Sequence, residues 1–199
     1  MAGRGKSIFI NCPYDRAYGK RFWGRTFAVL DAGFVPRAAI EIDNGAQSRF
    51  DKIIKIVREC PLSIHDLCRA DTPRFNMPFE VGLAVAMANG AARTRKRLLI
   101  LATSKKKFEA TCSDLKGIDP SIYRGDPVRA TTTWLQQFFD PRRTFPSPLQ
   151  TKSRFDSFWA GLPRVARAWG FDHRNPTWVE RQGAIHSFLE SHPLRRGRP

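Results

Sequence analysis

Arg74-Phe-Asn-Met-Pro-Phe-Glu80-Val-Gly-Leu-Ala-Val-Ala-Met-Ala88 is the stretch on which the fold turns. Pro78 suits the first turn of a helix, where a missing N–H costs nothing, and Asn76 just ahead of it is a favoured cap. From Val81 to Met87 every residue is apolar or Gly, which predicts a helix buried against a sheet with only its N-terminal end free to carry chemistry. Residues 62–67 before it and 96–103 after it read as strands, and the unalternating apolar run Leu98-Leu-Ile-Leu101 is expected of a strand covered on both faces. Strand, helix, strand at this spacing is a crossover unit, and it predicts a parallel sheet.

Working outward, the same alternation continues. Residues 7–11 read as a first strand ending in the turn Cys12-Pro-Tyr-Asp15, 18–32 as a helix closed by Gly33, and 34–42 as a second strand. Asp43-Asn-Gly45 reads as a turn, and 47–59 as a helix with apolar residues at 50, 53, 54 and 57 on one face. A further helix is predicted over 127–139, with Trp134 and Leu135 facing inward; 140–148, rich in Pro and Arg, reads as a linker. Residues 155–169 and 178–189 then read as two amphipathic helices. The expected organisation is an α/β domain over 1–139 with a mainly parallel sheet, and a linker and helical C-terminal extension over 140–199.

The 199 residues are 42% hydrophobic and 12% aromatic, enough for a packed core and unlike a disordered chain. No run of about 18 apolar residues and no apolar leader appears, so the expectation is a cytoplasmic protein without a membrane segment. Cys12, Cys60, Cys68 and Cys112 show no CxxC spacing, and His65 and Cys68 find no second pair, so reduced structural thiols are expected and no metal site is indicated. Thirty-four Lys and Arg against eighteen Asp and Glu give a net charge of +16, which calls for an anionic partner: a nucleotide, an acidic protein surface or nucleic acid. The basic clusters at 93–97, 105–107 and 195–198 carry no zinc-finger or RNP signature, so nucleic acid is the lesser of these.

Ligands of an open parallel sheet gather beyond the carboxyl ends of its strands. The residues expected there are Asn11, Cys12, Tyr14 and Asp15 after the first strand, Arg37 and Asp43 after the second, and His65, Asp66 and Arg69 from the third. Ser48 and Arg49 open the following helix, and Arg74, Asn76 and Glu80 lead into the next. Arg37, Arg49, Arg69 and Arg74 are candidates to clamp phosphates, for which the planar guanidinium is suited, and Asp43 or Asp66 to hold a ribose. Each has a plainer reading: Arg37 paired with Glu41, Arg49 a solvated helix residue, Asp15 and Asp43 turn residues, His65 a satisfied structural histidine. For Glu80 the plainer reading is a carboxylate complementing the helix dipole, worth about 0.3–1 kcal/mol. Neither GxxxxGK nor GxGxxG occurs, which argues against a P-loop ATPase or a Rossmann dehydrogenase.

As a set, Ile8-Phe-Ile-Asn-Cys-Pro-Tyr-Asp15, Gly33-Phe-Val-Pro-Arg37, Glu59-Cys-Pro-Leu-Ser-Ile-His-Asp66 and Arg74-Phe-Asn-Met-Pro-Phe-Glu-Val-Gly-Leu83 resemble bacterial TIR-like domains over about residues 6 to 135. The strand, short loop and Glu-x-Gly-x-Ala helix are also similar to nucleoside 2-deoxyribosyltransferases. The resemblance implies a flavodoxin-like three-layer sandwich and matches Glu80 to the glutamate that both families set against an N-glycosidic bond. Where TIR-like domains usually carry Ser or Thr with Tyr after the first strand, this chain has Asn11-Cys-Pro-Tyr14. Such a bond breaks through an oxocarbenium-like state that an ionised carboxylate beneath the sugar can stabilise or trap. Near a helix N-terminus the Glu80 pKa is expected to fall, as suits that role. The resemblance therefore implies an enzyme that hydrolyses or cyclises NAD as substrate, with no cofactor, in antiphage defence, as a homo-oligomer or with a defence partner. Base exchange or hydrolysis on a deoxynucleoside or nucleotide, and a non-catalytic nucleotide-sensing or assembly module, are the alternatives.

Overall fold

Short apolar runs separated by helix-length amphipathic segments fold here into a parallel sheet. The computed structural model describes residues 6–41, 48–68, 76–90, 96–115, 117–123, 125–138 and 145–194. Among these, β1 is Ser7–Asn11, β2 Val35–Arg37, β3 Leu62–Asp66, β4 Arg97–Ala102 and β5 Ser121–Ile122, and every neighbouring pair is parallel in the order β2-β1-β3-β4-β5. The fold is α/β with a parallel sheet, as expected from the alternation, and its strand order is the flavodoxin-like one that the resemblance implied. The helices are α1 Gly19–Asp31, α2 Arg49–Glu59, α3 Asn76–Asn89, α4 Lys105–Thr111, α5 Pro127–Leu135, α6 Pro148–Trp169 and α7 Trp178–Ser191. None is long and apolar enough to cross a membrane among the described residues.

The chain divides into two compact units. The first, residues 1–13 and 35–125, holds the sheet with α2, α3 and α4. Register sets Phe9 beside Ser63 and Ser63 beside Leu98, then Asn11 beside His65 and His65 beside Ile100, so these residues share one face. On that face Phe9 packs with Ile53, Ile56 and Val57 of α2 and Ala84 of α3, while Ile100 and Ala102 pack with Met77, Val81 and Phe108. All five residues of β1 and all five of β3 are buried, as in strands covered on both faces, so Ile8-Phe-Ile10 does not alternate and β3 carries Ser63, His65 and Asp66 into the interior. The chain runs from β1 to β2 on one side and to β3 on the other, so the order reverses between β1 and β3.

The second unit, residues 14–34 and 126–199, is helical. Trp23 and Phe27 of α1, Val128 of α5, Phe155, Phe158 and Leu162 of α6, and Ile185 of α7 form one core. Phe155 and Phe158 are thus packing residues, and Trp134 and Leu135 are buried as their pattern predicted.

Some boundaries differ from expectation. β2 stops at Arg37 rather than reaching residue 42, because Pro36 supplies no N–H and Ala38 begins a turn closed by the Glu41 N–H on the Ala38 carbonyl. α6 starts at Pro148, not residue 155: Ser147 and Gln150 form a capping box, so the end of the supposed linker is a helix start. α2 starts at Arg49, with Ser48 as its cap. β5 escapes sequence reading because two residues carry no periodicity.

Candidate active site

In an open parallel sheet ligands bind beyond the carboxyl ends of the strands where the strand order reverses, here between β1 and β3. Asn11 closes β1 there and His65 lies beside it in β3. The Asn11 Nδ2 donates to the Met77 carbonyl at 3.2 Å and approaches His65 Nδ1 at 3.1 Å, while His65 Nε2 lies 2.9 Å from Ser63 Oγ. With the amide donating, His65 Nδ1 accepts and the proton sits on Nε2, facing Ser63. Burial pushes the His65 pKa down to about 3, so the ring is neutral and serves as a link between β1 and β3 rather than as a proton donor. Through Met77 the same chain of bonds holds the first turn of α3 on the sheet.

Glu80 occupies the inward stripe of that helix with Met77, Val81 and Ala84. Only this stripe is fully buried; Ala86 is exposed, so α3 is covered on one side despite its uniformly apolar sequence. Asn76 is the first residue of α3 rather than the cap before it, and its side chain hydrogen-bonds the Glu80 carboxyl. Arg49, exposed at the start of α2, acts on the same carboxyl by charge. These two partners favour the ionised form, but burial opposes it and wins: Glu80, 2% exposed, has its pKa pushed up to about 7. The expected fall is overturned, since a side chain on the core stripe loses more hydration than partial charges at a helix end restore.

Asp66, buried at the end of β3, accepts from the Cys68 N–H at 2.9 Å and from the Tyr123 hydroxyl at 2.7 Å. It ties the turn after β3 to the residue following β5. Tyr123 had no sequence signal, because its partner lies 57 residues away. Arg37 is engaged by Glu41 and by Glu59 at 3.2 Å, and Ser48 caps α2 through the Asp51 N–H at 3.1 Å. Both have structural work to do. Cys12 is buried, and none of the four cysteines is in a disulfide; burial pushes the Cys60 thiol up to about 12, out of range for a nucleophile at neutral pH. Tyr14 and Asp15 belong to the second unit, where Tyr14 packs on Phe22 at 5.0 Å and Asp15 caps the short helix Arg16–Tyr18. Asp43, Arg69 and Arg74 lie outside the described residues.

Elsewhere in the first unit a cavity of ≈ 410 Å³ is lined by Val85, Asn89, Lys96 and Asp119. Its cation is already committed: Lys96 Nζ donates to the carbonyls of Val57 and Cys60 at the end of α2. Among the described residues no group of three or more His, Cys, Asp or Glu is arranged to hold a metal. No family model, curated protein or solved structure matches this chain. What remains is a carboxyl buried in the first turns of a helix beside the switch point, with one exposed arginine acting on it.

Proposed function

We propose that the protein cleaves the N-glycosidic bond between nicotinamide and ribose in NAD, hydrolysing or cyclising the remainder, with Glu80 as the reacting carboxylate. The observation that supports this most is the placement of Glu80: a core-stripe carboxyl at the helix start that follows β3, poised near neutrality, with Arg49 in electrostatic reach. A buried carboxyl at such a place costs stability, which selection tolerates at reactive sites. The nicotinamide ring of NAD is cationic, and its approach draws the Glu80 pKa down and ionises it where the positive charge will develop on the sugar. The C1′–N bond breaks with its electron pair leaving on nicotinamide, which departs neutral; water, or a ring nitrogen of the adenine, then forms the new bond to C1′ and a proton is released. In this reading Arg49, exposed and in electrostatic reach of Glu80, meets the diphosphate. A role in antiphage defence is the biological context that the TIR-like resemblance implies.

One observation favours a second reading. Burial raises the Glu80 pKa to about 7, which favours a carboxyl that keeps its proton and can serve as general acid to a departing nucleobase, as release from an ordinary nucleoside requires. The test is incubation of wild type and Glu80→Gln with NAD, NADP, nucleosides and nucleotides, with products resolved by chromatography and mass. Nicotinamide release that Glu80→Gln lowers by about a hundredfold or more supports the NAD reading. Free nucleobase alone supports the second; turnover equal in both proteins overturns both.

A further inference from the structure

Phe50 and Phe79 are 45% and 53% exposed, although the core of this unit is otherwise rich in buried apolar side chains. They are not scattered surface residues. Their ring centroids lie 5.8 Å apart with planes inclined at 39°, one ring from the start of α2 and one from the start of α3. Each is also the chain neighbour of a charged group of the candidate site: Arg49 precedes Phe50, and Glu80 follows Phe79. Two helix starts thus present a tilted aromatic pair to solvent, and next to these rings in the chain stand an exposed arginine and the buried carboxyl on which it acts by charge.

Apolar surface beside an exposed cation suits a ligand that is itself flat and aromatic at one end and anionic at the other. A heteroaromatic base carrying a phosphate has both properties. A free sugar phosphate lacks the first, and an apolar ring without phosphate lacks the second. Base–aromatic stacking tolerates any base, because every base offers a π face, and it adds binding without ordering a loop. We propose that Phe50 and Phe79 form the platform on which a base of the substrate nucleotide stacks, with Arg49 beside it to meet phosphate. This rests on the reading of Glu80 as the reacting carboxylate, whose substrate it would hold in place.

The test has two arms. In the first, Phe50→Ala, Phe79→Ala and Phe79→Trp are compared with wild type for KM and kcat on NAD and for thermal melting. The expected result is a rise in KM of about fivefold or more for each alanine variant, with KM near wild type for Phe79→Trp. An unchanged KM with a lowered melting temperature makes the pair mere packing between α2 and α3 and overturns the proposal. In the second arm, Glu80→Gln protein is titrated with AMP, nicotinamide mononucleotide and ribose 5-phosphate, alone and combined with Phe79→Ala. Tighter binding of a nucleotide than of ribose 5-phosphate, lost on Phe79→Ala, supports the platform. Equal binding of all three, or binding of none, overturns it. A wild type without turnover counts against the Glu80 chemistry alone, because the second arm decides the platform without catalysis.

Discussion

Glu80 and His65 are both buried, and burial moves them in opposite senses. Glu80 titrates near 4.5 when unfolded and about 7 when folded. Between those values the folded state holds a proton the unfolded state lacks, so stability falls as pH rises through that window. The full shift corresponds to about 3 kcal/mol. Glu80→Gln is therefore predicted to be more stable than wild type at pH 8 by up to about that amount, and by little at pH 4, in urea titrations at the two values. A variant less stable at pH 8 would mean that the carboxylate is held rather than penalised. For His65 the unfolded state binds the extra proton between pH 6.5 and about 3, so stability is lost as pH falls through that range. Asn11→Ala leaves His65 Nδ1 and the Met77 carbonyl without this donor and is predicted to cost about 1–3 kcal/mol; an unchanged unfolding midpoint would remove the bridge from the account. At this scale the sequence singled out Glu80 as the candidate but not its proton affinity. A helix-end argument sees the dipole, whereas the inward stripe that determines desolvation becomes visible only once α3 is docked. The aromatic pair was missed for a related reason, since Phe50 and Phe79 meet only when two helices with different strand partners are brought together.

Among the elements, α1 and α5 approach closely at Gly24. A Cβ placed there would lie 2.8 Å from Val128 Cγ2 and 3.5 Å from the Phe155 ring. Alanine gains about 1 kcal/mol of helix propensity over glycine, but overpacking costs about 1–3. Gly24→Ala is predicted to lower the unfolding midpoint, and Val128→Ala in the same chain to recover part of the loss. A double-mutant cycle with no coupling would contradict the close approach. Most elements were legible: unalternating runs marked β1 and β4, and apolar spacing marked α2, α6 and α7. What failed were ends fixed by single interactions. Pro36 and the Ala38–Glu41 turn end β2, and the Ser147–Gln150 box starts α6 seven residues before its first expected turn. β5 is defined by its pairing with β4 alone, through Leu101 with Ser121 and Ala102 with Ile122.

For the molecule as a whole, the net charge of +16 acts at a distance that no single site explains. A protein so basic draws in anionic nucleotides, and the attraction is screened over about 8 Å at physiological ionic strength. The KM for NAD is therefore predicted to rise with added salt while kcat holds. A KM that does not move from low to high salt would leave the charge as an ordinary solvated surface. The parallel α/β class was readable because helix and strand periods alternate along the first 135 residues. Grouping α1 and α5 with α6 and α7 in one compact unit was not, because that depends on aromatic packing between segments more than 100 residues apart.

The most direct measurement of the central claim is the time course of nicotinamide release from NAD at pH 8 by concentrated wild-type protein beside Glu80→Gln, with both proteins shown to be folded by thermal melting. The account predicts steady release by wild type, and by a Glu80→Gln protein at least as stable, a rate lower by about a hundredfold or more. Release at the same rate from both, or from neither, would contradict the assignment of Glu80 as the carboxylate that acts on the glycosidic bond of NAD.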